Sequence, residues 1–397
     1  MSASKLPRGF LYLAGSVLLT YAGGHLLLQW PEDLALIQVA RAAQQDPERA
    51  ARVFAQVVQR DAASASAWGD LGDALAHAGD QTRAEYCFLR GVALAPHSPQ
   101  IQFIAGDFYF IAHEPRKALP YFRNVLALFA NYDASVFNYF GSMHLDVNTI
   151  LDQGIPDRRA AQSFLRSLMA QKDINGADAA WRWMASRSFG DRSAAAQYAQ
   201  FLFDQRLLQP AAEVWAEYAK DCSPAYRKTT QVYDGGFECE PANSPFDWRI
   251  GELQGVETLL DRTVSQAGHA SLRIRFDGAH NTDFHHVTQS VFLGPGRYVL
   301  EAWVRSVDVT TDQGVGLRLV DPQSPARLDV ETDKVTGSHE WMKLQRVFTI
   351  AESALLELQI VRRPSLRFDN QIGGSVWFDS IVIRPMQMGE GAPSPAP

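Results

Sequence analysis

The sequence predicts an α+β multidomain protein: an N-terminal membrane-crossing helix, a helical solenoid and a C-terminal antiparallel β-sandwich. Three observations carry that expectation. They are an uncharged apolar run at residues 9–30, a helix–turn–helix pattern that recurs with a period of about 34 residues, and a change to short alternating runs near Tyr233. A length of 397 residues suits two domains plus an anchor, and 46% hydrophobic with 20% charged residues is an ordinary folded composition.

Residues 9–30 read GFLYLAGSVLLTYAGGHLLLQW. As a helix this run is long enough to cross a hydrocarbon layer of about 30 Å. Lys5 and Arg8 precede it and Glu32 and Asp33 follow, so the positive-inside tendency places the N-terminus in the cytoplasm and the remainder across the membrane. Ala22 and Gly24 also fit an export cleavage site. The apolar run continues to Leu28, which favours a retained anchor, and a buried helix of a soluble domain is the alternative.

Trp68, Leu71, Gly72, Leu75, Gly79, Ala84, Phe88 and Pro96 form one repeat, and Gly106, Tyr109, Ala118 and Phe122 occupy matching positions one period later. The spacing resembles the tetratricopeptide repeat, with Leu75 and Gly91 departing at its Tyr and second Ala positions. Ala160, Phe164 and Leu168, then Leu202, Ala211 and Trp215, extend the pattern beyond an insertion at residues 152–157, and the solenoid is expected over residues 31–221. A non-repetitive helical bundle is the alternative. The resemblance implies a groove lined by Asp73, Ala76, His77, Phe103, Asp107, Phe110 and Ile111. Such a groove receives a partner peptide or packs against the insertion or the sandwich.

After an expected linker at residues 222–234, strands are predicted at 271–276, 286–293, 297–305, 315–320, 341–349, 355–361 and 376–383, separated by turns rich in Gly and Pro. GGFE at 235–238, Asp247-Trp248, GHASLRI at 268–274, QSVFLGPGRYVLEAWV at 289–304 and VWFDSIVI at 376–383 carry a further likeness. On these blocks residues 235–386 resemble the jelly-roll carbohydrate-binding modules of the galactose-binding-like superfamily. Residues 387–397, rich in Gly and Pro, are expected to be a disordered tail.

Because side chains i and i+2 of a strand share a face, Tyr298, Leu300, Ala302 and Val304 suit a core, as do Leu356, Leu358 and Ile360. Glu301, Trp303, Arg305, Arg318, Glu357, Gln359 and Arg363 then point outward, and if their strands adjoin they form one row suited to a sugar. Aromatic rings cover the apolar face of a pyranose, while carboxylate, amide and guanidinium groups pair its hydroxyls. The alternative is a solvated polar face or a docking face for the helices. The resemblance also implies a structural calcium ion held by Glu238 and Asp379, against a turn-capping role for Asp379 and an exposed Glu238. No other cofactor is expected.

Catalytic signals are sparse, and a non-enzyme is expected. GSHEWMK at 337–343 begins like a zinc-protease helix but lacks the second His and precedes a strand. His285 and His286 cannot share one ion on a regular strand, and Glu301 with Glu357 is the pair a glycan hydrolase would require. A net charge of −7 without any block of Lys or Arg gives a nucleic-acid partner no support. Of three cysteines, Cys87 suits a helix core, and Cys222 and Cys239 are candidates for one disulfide.

The combination is similar to accessory proteins of bacterial exopolysaccharide assembly and export. That resemblance implies a single-pass inner-membrane adaptor with its bulk in the periplasm, its repeats on an envelope protein partner and its sandwich on polysaccharide. A purely structural interaction scaffold and a glycan-active enzyme are the alternatives.

Overall fold

The computed structural model describes residues 46–242 and 244–386, so the anchor expected at 9–30, the start of the first repeat and the expected tail lie outside the described residues. Among the described residues no helix is long and apolar enough to cross a membrane. The chain divides into two compact units that meet between Phe189 and Gly190.

The first unit contains nine α-helices among its described residues: α1 (Pro47–Arg60), α2 (Ala65–His77), α3 (Gln81–Leu94), α4 (Pro99–Ile111), α5 (Pro115–Leu128), α6 (Asp133–Ser142), α7 (Val147–Gly154), α8 (Arg158–Ala170) and α9 (Ile174–Ser186). Helix starts are written into the sequence. Ser64, Asp80, Ser98, Asp157 and Asp173 each accept a backbone N–H from the third residue onward, satisfying a donor that the first turn leaves open. The insertion expected at 152–157 holds the end of α7 and the cap of α8.

The period has a steric cause. A Cβ on Gly72 of α2 would stand 3.0 Å from the Phe88 ring of α3, and one on Gly106 of α4 would stand 3.0 Å from the Phe122 ring of α5. Glycine lets each second-helix phenylalanine lie directly on the first helix of its own pair. Ala84 and Ala118, at matching positions of the two pairs, are both wholly buried.

The second unit begins with α10 (Arg192–Asp204) and α11 (Leu208–Tyr218), which sequence periodicity had assigned to the solenoid. Ten strands follow: β1 (Arg249–Ile250), β2 (Val256–Asp261), β3 (Ser271–Asp277), β4 (Phe284–Leu293), β5 (Gly296–Val309), β6 (Gly316–Val320), β7 (Asp329–Glu331), β8 (Gly337–Ile350), β9 (Ala354–Arg362) and β10 (Gly373–Pro385). They form two five-stranded antiparallel sheets, β1-β4-β9-β6-β7 and β2-β3-β10-β5-β8. Leu300, Ala302, Val304, Leu356, Leu358 and Ile360 are at most 1% exposed in the core between them, on the faces that alternation predicts.

Residues 222–234 are not a linker. Val232 belongs to the sandwich core, Tyr233 is wholly buried, and Gln231 N–H donates to the Ile383 carbonyl at 2.7 Å. Cys222 and Cys239 form a disulfide that closes this segment on the sandwich. The prediction missed the integration because Tyr226–Tyr233 has no strand alternation; Tyr226, Val232 and Tyr233 are buried from an irregular chain.

Phe122 is wholly buried, and nothing nearby can replace a phenyl ring packed on a glycine. Phe122→Ala is expected to destabilise the first unit by about 3–5 kcal/mol, read as a lower denaturant midpoint. A change under about 1 kcal/mol would refute the Gly–Phe account of the repeat.

Candidate functional site

The seven outward residues expected in one row fall on two faces. Glu301, Trp303 and Arg305 lie on β5, in the second sheet, whereas Arg318 on β6, Glu357 and Gln359 on β9, and Arg363 just after β9 belong to the first. The strands do not adjoin, because β5 pairs with β10 and β8 while β9 pairs with β4 and β6. Alternation assigned the faces correctly but contains no information about which sheet a strand joins.

On the first sheet, Arg249, Thr288, Gln359, Arg318 and Glu331 stand opposite one another in register across all five strands. The charges there satisfy each other. Arg318 donates to both Asp329 oxygens at 2.7 and 2.6 Å and to Gln359 Oε1 at 3.3 Å, while Gln359 donates to Glu357 and Arg363 to Glu331. Beside this face the β9–β10 loop exposes Leu366 and Phe368 fully. Arg362, wholly buried, pins that loop by donating to Asn281 Oδ1 and to the carbonyls of Thr282, Gln313 and Asn370.

The second sheet carries the aromatic surface. Val376 and Phe378 are wholly buried, so the pleat turns Trp377 outward, and registration sets it opposite Arg273 on β3 and Arg305 on β5. Trp303, two residues before Arg305, pairs with Lys343 on β8, and Trp341 stands two residues before Lys343, where the β5–β8 register shifts. All three tryptophans are half-buried. Trp377 is fixed by its Nε1–H, which donates to Asp261 Oδ2 at 2.9 Å, and the Arg305 guanidinium lies 5.7 Å from its ring centre. Glu301 is not free for a ligand. It is buried and accepts from Gln345 and Arg384 at 3.1 and 2.9 Å, with Lys343 at 2.7 Å, so it orders this face. Trp341 and Trp377 were missed from the sequence, although the VWF triplet gives the same in–out–in signal that placed Trp303 outward.

Glu301 and Glu357, the candidate hydrolase pair, project from opposite faces of the sandwich. Sheets pack about 10 Å apart, and that exceeds the separation of about 5–9.5 Å at which two carboxylates flank one glycosidic bond. Register shifts between Phe284 and Val287 where β4 meets β9, and the His285 and His286 rings lie 4.8 Å apart there. Among the described residues no group of three or more His, Cys, Asp or Glu is placed to hold a metal ion.

Glu238 and Asp379, the pair implied for calcium, each accept hydrogen bonds from the adjoining loop. Asp379, wholly buried, accepts the N–H groups of Gln266 and Ala267 at 2.7 and 3.0 Å and the Ser380 hydroxyl at 3.1 Å; Glu238, half-buried, accepts the His269 N–H at 2.9 Å. Both carboxylates fasten the 264–269 loop to the sandwich. Asp379 thus caps a turn. Asp234 plays a similar part, accepting from Glu238 and Cys239 N–H at 2.9 and 3.0 Å.

In the first unit, Asp73, Ala76, His77, Asp107 and Ile111 line a pocket of about 110 Å³ with Phe88 and Phe108. Phe103 and Phe110 turn instead to Tyr139 of α6, with ring centres 5.5 and 4.9 Å away, and the Tyr139 hydroxyl donates to Asp107 at 2.6 Å. Tyr139 of the next helix thus packs on the apolar half of the expected groove, which is neither the insertion nor the sandwich.

No protein-family model and no curated protein matches the chain. Similar solved structures include the CBM22-1 xylan-binding domain of Paenibacillus barcinonensis Xyn10C, at 16% identity over 38% of this chain and 91% of that one, TM-score 0.26. TmCBM61 in complex with β-1,4-galactotriose is similar at 16% identity over 40% of this chain and 99% of that one, TM-score 0.27. The MamA RS-1 ArsTM double mutant is similar at 18% identity over 47% of this chain and 93% of that one, TM-score 0.28.

Burial raises the Asp234 carboxyl from its ordinary 3.8 to about 6, against the two N–H groups that favour its anion. The folded chain therefore keeps this proton up to about pH 6, whereas the unfolded chain releases it near 4. The resulting stabilisation, about 3 kcal/mol, is present below pH 4 and lost as pH rises through 6. Relative to Asp234→Asn, the wild-type melting temperature should fall between pH 4 and 6; parallel profiles would contradict this burial effect.

Proposed function

We propose that the chain is a non-catalytic adaptor that holds polysaccharide on the Trp303–Trp341–Trp377 face of its sandwich and a protein partner on its helical repeats. The observation that carries the glycan reading is the tryptophan face itself. Three half-buried rings on rigid strands, bordered by Arg273, Arg305 and Lys343, offer stacking surfaces and hydrogen-bond donors at fixed spacing. Rigid strands suit this task because a ring already held in place loses little freedom on binding.

In this reading residues 9–30 anchor the chain in the inner membrane and everything after them is periplasmic, where exopolysaccharide is assembled and exported. The Cys222–Cys239 disulfide favours such an oxidising compartment. The pocket around Asp73, His77 and Asp107 supplies polar groups for an envelope protein partner. Glu301 orders the glycan face without acting on the sugar.

A second reading, an interaction scaffold without glycan binding, is favoured by Leu366 and Phe368, fully exposed on a loop that buried Arg362 holds in place. The two readings use different faces. In affinity electrophoresis of the full chain through polysaccharide gels, Trp303→Ala and Trp377→Ala should each weaken retention roughly tenfold, a loss of about 1.4 kcal/mol. Arg318→Ala, on the opposite sheet, should leave retention unchanged. Undiminished retention of both tryptophan variants would reject the face, and loss of retention in Leu366→Ser with Phe368→Ser instead would move the site to the loop.

A further inference from the structure

The arginines of the two sheet faces are engaged very differently. Arg318 on the first sheet is closed by Asp329 at 2.6–2.7 Å, within the range of a strong charge-assisted bond. Around Trp377 the contacts are long. Arg273 reaches Glu257 at 3.4 Å and Asp261 at 4.0 Å, and Arg305 reaches Glu340 at 3.4–3.5 Å through a carboxylate that is itself 86% exposed. The Nε–H groups of both arginines are withdrawn from solvent and make no hydrogen bond among the described residues, Arg305 Nε standing 3.4 Å from Glu340 Oε2. A buried donor left without an acceptor costs about 1–3 kcal/mol, so two of them flanking one ring form an arrangement that an incoming acceptor stabilises.

Asp261 does not fill that role. Burial opposes its charge, but hydrogen bonds from Thr263 and Trp377 and the nearby Arg273 charge hold its carboxyl down at about 2, and its oxygens are occupied by those donors. Strand registration places Arg273 and Arg305 on either side of Trp377, one strand spacing of about 4.8 Å away in each direction. A sugar ring stacked on Trp377 therefore brings any group at its edge to one guanidinium or the other. The planar fork of arginine matches a carboxylate, with two parallel N–H···O bonds.

We propose that the tryptophan face selects acidic polysaccharide, the carboxylate of a uronic acid residue stacked on Trp377 being held by Arg273 or by Arg305 according to the orientation of the sugar. This assignment rests on the glycan reading above and names its ligand class. A neutral sugar offers hydroxyl oxygens to these donors, but a uronate adds the charge and the paired oxygens that match the arginine fork.

The test uses the full chain in affinity electrophoresis through polygalacturonate, alginate and hyaluronan, each beside its carboxyl-reduced form, with neutral xylan and galactan as further gels. Retention by at least one acid polymer should exceed that by its reduced form about tenfold and weaken as salt is raised. Arg273→Gln and Arg305→Gln should each shrink the preference for the acid form, and the double variant should abolish it, with thermal melts confirming that the variants remain folded. Arg305→Lys, which keeps the charge but not the fork, should restore part of it. Equal retention on acid and reduced forms, or an undiminished preference in the double variant, would overturn the proposal. Retention on xylan or galactan with none on the acids would overturn it while leaving the glycan reading intact, and no retention on any gel would overturn both.

Discussion

The placement of β10 between β3 and β5 is the constraint on which the sandwich and its exposed chemistry depend. Its inward residues Val376, Phe378, Ile381 and Ile383 are at most 1% exposed, and that burial fixes which way every neighbouring side chain points. A slip of one residue would bury Trp377 and expose Val376 and Phe378. The same strand also receives the segment before the sandwich: a Cβ on Gly235 would lie 1.9 Å from the Ile381 carbonyl oxygen, so only glycine permits this approach, and Ile381 N–H returns a bond to the Gly235 carbonyl at 2.9 Å. One strand thereby organises the opening GGFE, the disulfide-closed segment and the tryptophan face.

The two outer faces show how similar residue types acquire different chemistry from registration alone. On the first sheet, Arg318 faces Asp329 and Glu331 on β7 next to it, and the charges close on one another. On the second, Arg273 and Arg305 face a tryptophan, which offers a π surface but no lone pair. The buried Glu301 is spent on Lys343, Gln345 and Arg384, away from Trp377. A face that neutralises itself is suited to solvent. One that keeps desolvated donors beside exposed rings is suited to a ligand.

Much of this was legible in the sequence where a local rule decides the outcome. Period and packing agree at Gly72–Phe88 and Gly106–Phe122 because the same two residues meet in each helix pair. Alternation gave the inward positions of β5 and β9, and the pairing of Cys222 with Cys239 was a legible candidate. What failed was non-local. Nothing in β5 or β9 states that they join different sheets, so the expected single row divided between two faces. The backbone N–H groups that bind Glu238 and Asp379 come from residues 266–269, far away in the chain for Asp379, and no local pattern announces them. Phe103 and Phe110 looked available because their cover, Tyr139, lies in a helix outside the clear repeats.

The central claim is that the ligand meets the β10–β5–β8 face of the sandwich, and hydroxyl-radical footprinting of the full chain with and without bound polysaccharide tests it most directly. Oxidation of Trp303, Trp341 and Trp377 should fall on binding, while Phe292 and Leu355, paired with each other on the first sheet, should react as before. Protection of Phe292 and Leu355 with the three tryptophans unchanged would contradict the account.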